Sequence, residues 1–286
     1  MRIAHLIMAH KNPDQLLMLV ESLQHPNFDI YLHVDKKVDL TTFKDIGGNV
    51  NIIRNRTVCN WGGNSFLNAI THSLHEILAT GKNYDFINLL SGQDYPLKSS
   101  EYIYNFFESK KGINFISYDD TSVSEWWKQA NARYEQYHFT DFTVRGRYLL
   151  QAVLNTIAPR RKFPIPVDLY GGSNSTWWTI SGECAKYLDD KFYTNLKLRQ
   201  FLKYTWSPDE FIIASLIMNS EFKNRVLNNN LRYIDWSEQK AHPKILVMED
   251  LPSLTNSDML FARKFDTTIC KQILTVLHNR RKKSSN

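Results

Sequence analysis

Over the first 120 residues, short apolar runs of strand length alternate with segments whose apolar side chains recur at helical spacing, and this alternation constrains the fold more than any other feature. The run "IAHLIMAH" precedes a helix over about residues 14 to 23; "IYLHVD" and "VNIIRN" follow, then a helix near residues 64 to 80, then "DFINLLSG". Strand and helix in this order make βαβ units and a parallel sheet. Ligands of such sheets lie in the crevice beyond the carboxyl ends of the strands. The residues just after each strand are therefore the first candidates for a site: His10 and Lys11, residues 35 to 37 beginning with Asp35, residues 60 to 63, and Gln93 with Asp94.

From about residue 117 to 175 the rhythm breaks. This segment is aromatic and basic, opens with "SEWWKQANARYEQYHF" and carries Pro159, Pro164 and Pro166. Long irregular segments in compact domains are commonly functional. After it come "STWWTISGECAKYLDD", a helix opened by Ser207, the strand-like "LRYIDW", and "HPKILVMEDL" leading into a terminal helix. No repeat, low-complexity tract or flexible linker interrupts the chain, so residues 1–286 are expected to form one domain, and 43% apolar content is enough for its core.

The opening "MRIAHLIMAHKNPDQ" is read as a first strand and not a signal peptide, because His5, His10, Lys11 and Asn12 break its apolar run. No window reaches the roughly 18 apolar residues of a membrane span. Cys59, Cys184 and Cys270 lie far apart with no C-x-x-C spacing, which suits neither a disulfide framework nor a zinc site and points to a reducing, cytoplasmic setting. The net charge of +6 is partly concentrated in "NRRKK" (279–283) and "PRRKFP" (159–164). Such clusters suit phosphates, nucleic acid or an anionic membrane surface; equally, they describe a solvated tail and a solvated loop. The basic residues form no stripe interleaved with aromatics, so nucleic acid is not an expected partner.

No G-x-G-x-x-G follows the first strand, no P-loop occurs, no G-x-S-x-G nucleophile elbow is present, and the nine histidines are scattered. What remains is a set of carboxylates at strand ends and basic residues late in the chain. Asp35 in "HVDKKVD" and Asp94 in "LLSGQDYPLKS" fit contacts to a nucleotide-sugar, and fit turn formation equally well. The tryptophans of "NWGG", "EWWK" and "STWW" suit sugar stacking or simple core filling. Glu210 of "TWSPDEFIIASLI" also has two readings. Ser207, Pro208 and Glu210 spell a capping box with Trp206 and Phe211 as its hydrophobic staple, whereas a carboxylate here is also a candidate base.

Taken together and in order, "HVD", "NWGG", "INLLSGQDYPLKS", "STWW", "SPDEF" and "LFARKFD" resemble the core-2/I-branching β-1,6-N-acetylglucosaminyltransferase family, which includes the peptide O-xylosyltransferases. The resemblance runs from about residue 3 to 268. It implies a GT-A-like α/β/α domain with a mostly parallel central sheet. About residues 1–120 would form the nucleotide-sugar-binding half, and about 121–286 the acceptor and catalytic half with a basic tail. The implied reaction is inverting transfer from a UDP-sugar, N-acetylglucosamine first and xylose second, to a hydroxyl of a glycan or lipid-linked saccharide.

By the same resemblance Glu210 is the general base, Asp35 contacts uracil, and Lys264 of "FARKFD" and Lys244 of "HPK" hold the diphosphate. Lys244 stands where the animal enzymes have arginine. Asp94 and Trp61 complete the donor site. The place of the D-x-D motif of most GT-A enzymes is taken by "SGQDYP" with a single carboxylate, so no metal and no cofactor is expected. The animal members have a membrane anchor and disulfides; their absence here implies a bacterial-type, cytoplasmic protein, with weak membrane contact through the basic C-terminal tail.

Overall fold

The computed structural model describes residues 1–47, 49–120 and 124–284, with only the backbone of 282–284. The first half builds the parallel block: β1 (Ile3–Ala9), α1 (Pro13–Ser22), β2 (Phe28–Val34), β3 (Val50–Ile52), α2 (Asn64–Ala79) and β4 (Phe86–Ser91). Next come β5 (Asp94–Pro96), α3 (Ser100–Glu108) and β6 (Asn114–Ile116), then α4 (Glu125–Glu135) and α5 (Arg147–Ile157). The remainder holds β7 (Thr179–Ser181), α6 (Gly182–Thr194), α7 (Leu196–Leu202), α8 (Ile212–Met218), β8 (Val226–Asn228), β9 (Arg232–Ile234), α9 (Leu251–Thr255), β10 (Phe261–Arg263) and α10 (Lys271–Ser284).

The main sheet has the order β3-β2-β1-β4-β7-β6-β8, and the first four strands run parallel. Strand β7 enters antiparallel to β4. Strand β1 is buried along its whole length, and its alternation divides the core. Ala4, Leu6 and Met8 pack with α2, α6 and α8, while Ile3, Ile7 and Ala9 pack with α1 and α3. One sheet between two helical layers is the α/β/α arrangement that period-two burial on both strand faces requires.

A second sheet, β5-β10-β9, is fastened to the first by Arg232. Its buried guanidinium donates to Asn88 Oδ1, to the carbonyl of Leu89 at 2.8 Å and to that of Trp178 at 3.4 Å, joining β9 to β4 and to the segment entering β7. Burial lowers its pKa to about 9, against the nearby charge of Asp94.

Three expectations are corrected here. The segment read as irregular contains α4 and α5. The capping box does not form: Ser207 takes a left-handed conformation (φ 44°) with its N–H on Gly62 O at 2.8 Å, and its side chain caps nothing. Residues 208–210 form a single 3₁₀ turn, and α8 begins only after Phe211. Trp206 packs against Trp61, and Phe211 against Trp126 and Tyr134, so the proposed staple is also absent.

The basic clusters are in part structural. Arg161 is spread over the carbonyls of Gln136, Phe201 and Tyr204, with its guanidinium 3.9 Å from the Phe201 ring. Arg281 donates to Ser22 O at 2.7 Å. The side chains of Lys282 and Lys283 lie outside the described residues. All three cysteines are free, and among the described residues no helix is long and apolar enough to cross a membrane.

Replacing Arg232 by Met should remove the donor shared by five acceptors beneath the second sheet, on Asn88, Leu89, Trp178, Thr179 and Asn230, and leave the Asp94 charge less compensated. Denaturant unfolding should show a loss of about 3–5 kcal/mol. A loss below about 1 kcal/mol would mean that the sheets are joined by something else.

Candidate active site

A cleft of about 420 Å³ opens at the carboxyl ends of β1, β2 and β4. Its size is that of a site for a small ligand or cofactor. The strands bring His10, Asp35 and Gln93 to its floor. The turn at 207–210 and the loop after β10 supply further walls, so residues more than 200 positions apart share one space.

Asp35 is buried and follows β2 directly. Its Oδ1 accepts from the Lys37 N–H at 2.9 Å and its Oδ2 lies 3.5 Å from Lys37 Nζ. The turn reading of Asp35 therefore describes its local bonding, and the same carboxylate lines the cleft. Trp61, 72% exposed, also lines it and meets Trp206 edge-on with centroids 5.9 Å apart. Between these tryptophans the chain turns at Gly62 with φ +69°, where a Cβ would overlap the Trp206 indole.

Glu210 accepts through Oε2 from Trp126 Nε1 at 2.7 Å, and the same oxygen lies 2.8 Å from Arg133 Nη1. The Arg133 guanidinium is held between two indoles, 4.8 Å from the Trp126 ring and 4.5 Å from that of Trp206. Burial raises the pKa of Glu210, and Arg133 and the Trp126 N–H pull it back down. Its neighbour Asp209 also lines the cleft, accepting from Thr176 Oγ1 at 2.8 Å. Burial first, and the Glu210 charge second, push the Asp209 carboxyl well above the ordinary carboxylate range. Two adjacent carboxyls thus stand in one wall with different support: Glu210 has a cation, Asp209 a hydroxyl.

Lys264 lines the cleft and is half-buried. Burial, then Arg263 and Lys11, lower its pKa, and among the described residues it has no ion-pair partner. Beside it, Arg263 stacks on Trp177 at 4.1 Å with Nη1 3.5 Å from Asp94 Oδ1.

The other two expected donor contacts do not reach the cleft lining. Asp94 is completely buried, accepts from the Ser91 N–H at 3.0 Å and sits against Arg263. Lys244 is 2.6 Å from Asp250 Oδ1 and 3.8 Å from Asp235 Oδ2, and its neighbours His242 and Pro243 form that wall instead. A lysine six residues before an aspartate, at a turn, found the nearer anion. Among the described residues no group of three or more His, Cys, Asp or Glu side chains is arranged to hold a metal ion. Sequence reasoning had Trp126 only as an aromatic of "EWWK" for stacking or core filling, and missed Asp209, Arg133 and Arg263. The signal for Arg133 was present: Trp126, Ala130 and Arg133 recur at helical spacing on one side of α4.

The raised Asp209 pKa has a sign that can be tested. A carboxyl whose folded pKa exceeds its unfolded value, ~3.9, stabilises the fold most below that value, and the contribution is lost as pH rises toward the folded pKa. Asp209→Asn keeps the Thr176 hydrogen bond and removes the charge. It should melt with wild type near pH 4 and above wild type at pH 8; equal melting at both would show that Asp209 is not destabilised by its ionisation.

The chain is similar along nearly its full length to known transferases. It is 26% identical to rat xylosyltransferase 2 over 96% of this chain and 33% of that protein. To the Arabidopsis thaliana β-glucuronosyltransferase GlcAT14A it is 26% identical over 85% of this chain and 56% of that one, and to a Ciona intestinalis xylosyltransferase 22% over 96% and 34%. It spans about a third of the length of the xylosyltransferases it matches. Likeness to the solved apo form of mouse xyloside xylosyltransferase 1 is faint, with a TM-score of 0.37 at 9% identity over 91% of this chain and 97% of that one. The family model described as Core-2/I-Branching enzyme matches residues 3–259, and the chain belongs to that family.

Proposed function

We propose that the chain transfers a sugar from a UDP-sugar to a hydroxyl of a glycan acceptor, with inversion at the anomeric carbon. The observation that carries this reading is Glu210. It lines the cleft, it is anchored through Oε2 alone, and Oε1 has no partner among the described residues. Glu210 takes the proton of the acceptor hydroxyl as that oxygen attacks the anomeric carbon. The bond from that carbon to the diphosphate breaks, and UDP departs carrying the electron pair. Lys264 and Arg263 stand in the same cleft to balance the charge that accumulates on UDP, and preorganised charge of this kind is usually the largest catalytic contribution. Asp35, at the end of β2, serves the base, and Trp61 offers an exposed ring to a sugar. N-acetylglucosamine and xylose are the first donors to test, and a panel should include UDP-glucuronic acid.

Glu210→Gln should leave UDP binding intact and lower turnover by about 10²- to 10⁴-fold. Arg133→Gln tests the tuning of the base. Arg133 lowers the pKa of Glu210, so its removal raises that pKa, and the acid limb of the pH–rate profile should move to higher pH. An unmoved limb, or a Glu210→Gln enzyme that keeps its activity, would assign the base elsewhere, with Asp209 the next candidate. Stabilisation by UDP with no turnover on any donor would favour a non-catalytic binding module, a reading that the Arg133 ion pair on Glu210 also permits.

Leaving-group stabilisation is proposed to be metal-independent, because Asp94, the carboxylate of "SGQDYP", is already committed to Arg263 and to the Ser91 N–H. Activity should survive excess EDTA, and Lys264→Ala should lose far more rate than the chelator does. Activity that EDTA abolishes and manganese or magnesium restores would overturn this.

A further inference from the structure

Helix α5 is attached to the protein by the wrong edge for an amphipathic helix of a globular domain. Such helices normally bury their apolar stripe. Here Gln151 Oε1 accepts from the Phe139 N–H at 2.8 Å, and Asn155 bonds the Tyr137 N–H and carbonyl at 2.8 and 2.9 Å, so the polar edge faces inward. Leu149, Val153, Ile157 and Leu150 fall within an arc of roughly 100° on the other side. All four are exposed, Leu149 by 72% and Ile157 by 77%. No residue of α5 is buried.

The charge around this stripe says what covers it. From residue 142 to 167 the chain has no Asp or Glu and five basic residues. Two of these are committed to the fold, Arg147 to the carbonyls of Thr140 and Phe142, and Arg161 to its carbonyls. Arg145 just before the helix and Lys162 just after it are exposed; Arg160 is exposed as well but pairs with Glu135 at 2.7 Å. An outward apolar stripe with cations at both ends matches a surface of acyl chains beneath anionic headgroups.

We propose that α5 is an in-plane anchor that inserts its apolar stripe into the interface of an anionic lipid bilayer, with Arg145 and Lys162 against the lipid phosphates. The anchor is connected to the cleft. Residues 137 to 142 carry α5, and Asp141 among them accepts from the Ser65 N–H at 2.8 Å and from Asn60 Nδ2 at 3.0 Å. Asn60 and Trp61 line the cleft, so bilayer docking holds the cleft wall close to lipid-borne saccharides. This surface goes beyond sugar transfer, and its test needs no donor or acceptor.

The test is sedimentation of the full chain with phosphatidylcholine vesicles made with and without phosphatidylglycerol. Wild type should pellet with the anionic vesicles and much less with the neutral ones. Leu149→Ser/Val153→Ser should weaken that binding about tenfold or more while melting with wild type, because the stripe supports nothing within the fold. Arg145→Ser/Lys162→Ser should weaken it and flatten its salt dependence, and Lys282→Ser/Lys283→Ser should keep it. No binding by wild type, or binding lost with the tail lysines and kept without the leucine and valine, would overturn the proposal. A dimer in lipid-free sedimentation that Leu149→Ser/Val153→Ser abolishes would overturn it too, assigning the stripe to a second copy.

Discussion

The buried charges around Asp94 are the constraint on which the rest of the structure rests. A carboxylate with no solvent exposure is tolerable only if cations accompany it. Arg263 lies directly opposite it in the β5–β10 pairing, and Arg232 reaches its vicinity from β9, so one acid and two guanidiniums join three strands of the second sheet to the first. Burial raises the pKa of Asp94, and both arginines oppose that shift. The cluster carries a net positive charge beneath the cleft. Lys264 adds a further ammonium group at the rim, so Arg263 and Lys264 gather positive charge on the β10 side of the cleft.

The loop after β10 completes this arrangement by returning to the start of the chain. The Phe265 N–H donates to the Gln93 carbonyl at 2.9 Å and the Gln93 side-chain Nε2 donates back to the Phe265 carbonyl at 3.1 Å, Gln15 reaches the same carbonyl at 3.2 Å, and Lys11 pairs with Asp266 at 2.6 Å. Lys264 is therefore placed by its neighbours on both sides. A lysine on a free surface would keep its rotamer entropy and its ordinary proton affinity; this one has given up part of both.

The parallel block was legible because both faces of β1, β2 and β4 are buried, which writes long apolar runs into the sequence. Helices α1 and α2 were legible because their apolar faces point at that block. Helix α4 hid because its buried side includes an arginine; α5 carries an apolar stripe in its sequence, but that the stripe points outward while Gln151 and Asn155 anchor the helix is visible only in the structure. In the cleft, Asp35, Trp61, Glu210 and Lys264 come together, as the ordered motifs implied. Asp94 and Lys244 do not join them, since each had a closer partner of opposite charge that no one-dimensional pattern reveals. The capping box at Ser207 failed for a similar reason: the Ser207 N–H was already claimed by Gly62, 145 positions earlier.

Gly62 carries a consequence of its own. Its missing side chain leaves the space that the Trp206 indole fills, that indole forms one side of the slot for Arg133, and Arg133 holds the oxygen of Glu210. A single methyl group at residue 62 would thus act at a distance, prying the slot open and loosening the cation from the acid. Steric volume in a loop is here converted into the proton affinity of Glu210, and the glycine of "NWGG" helps to set that carboxyl's titration without bearing a single ionisable atom.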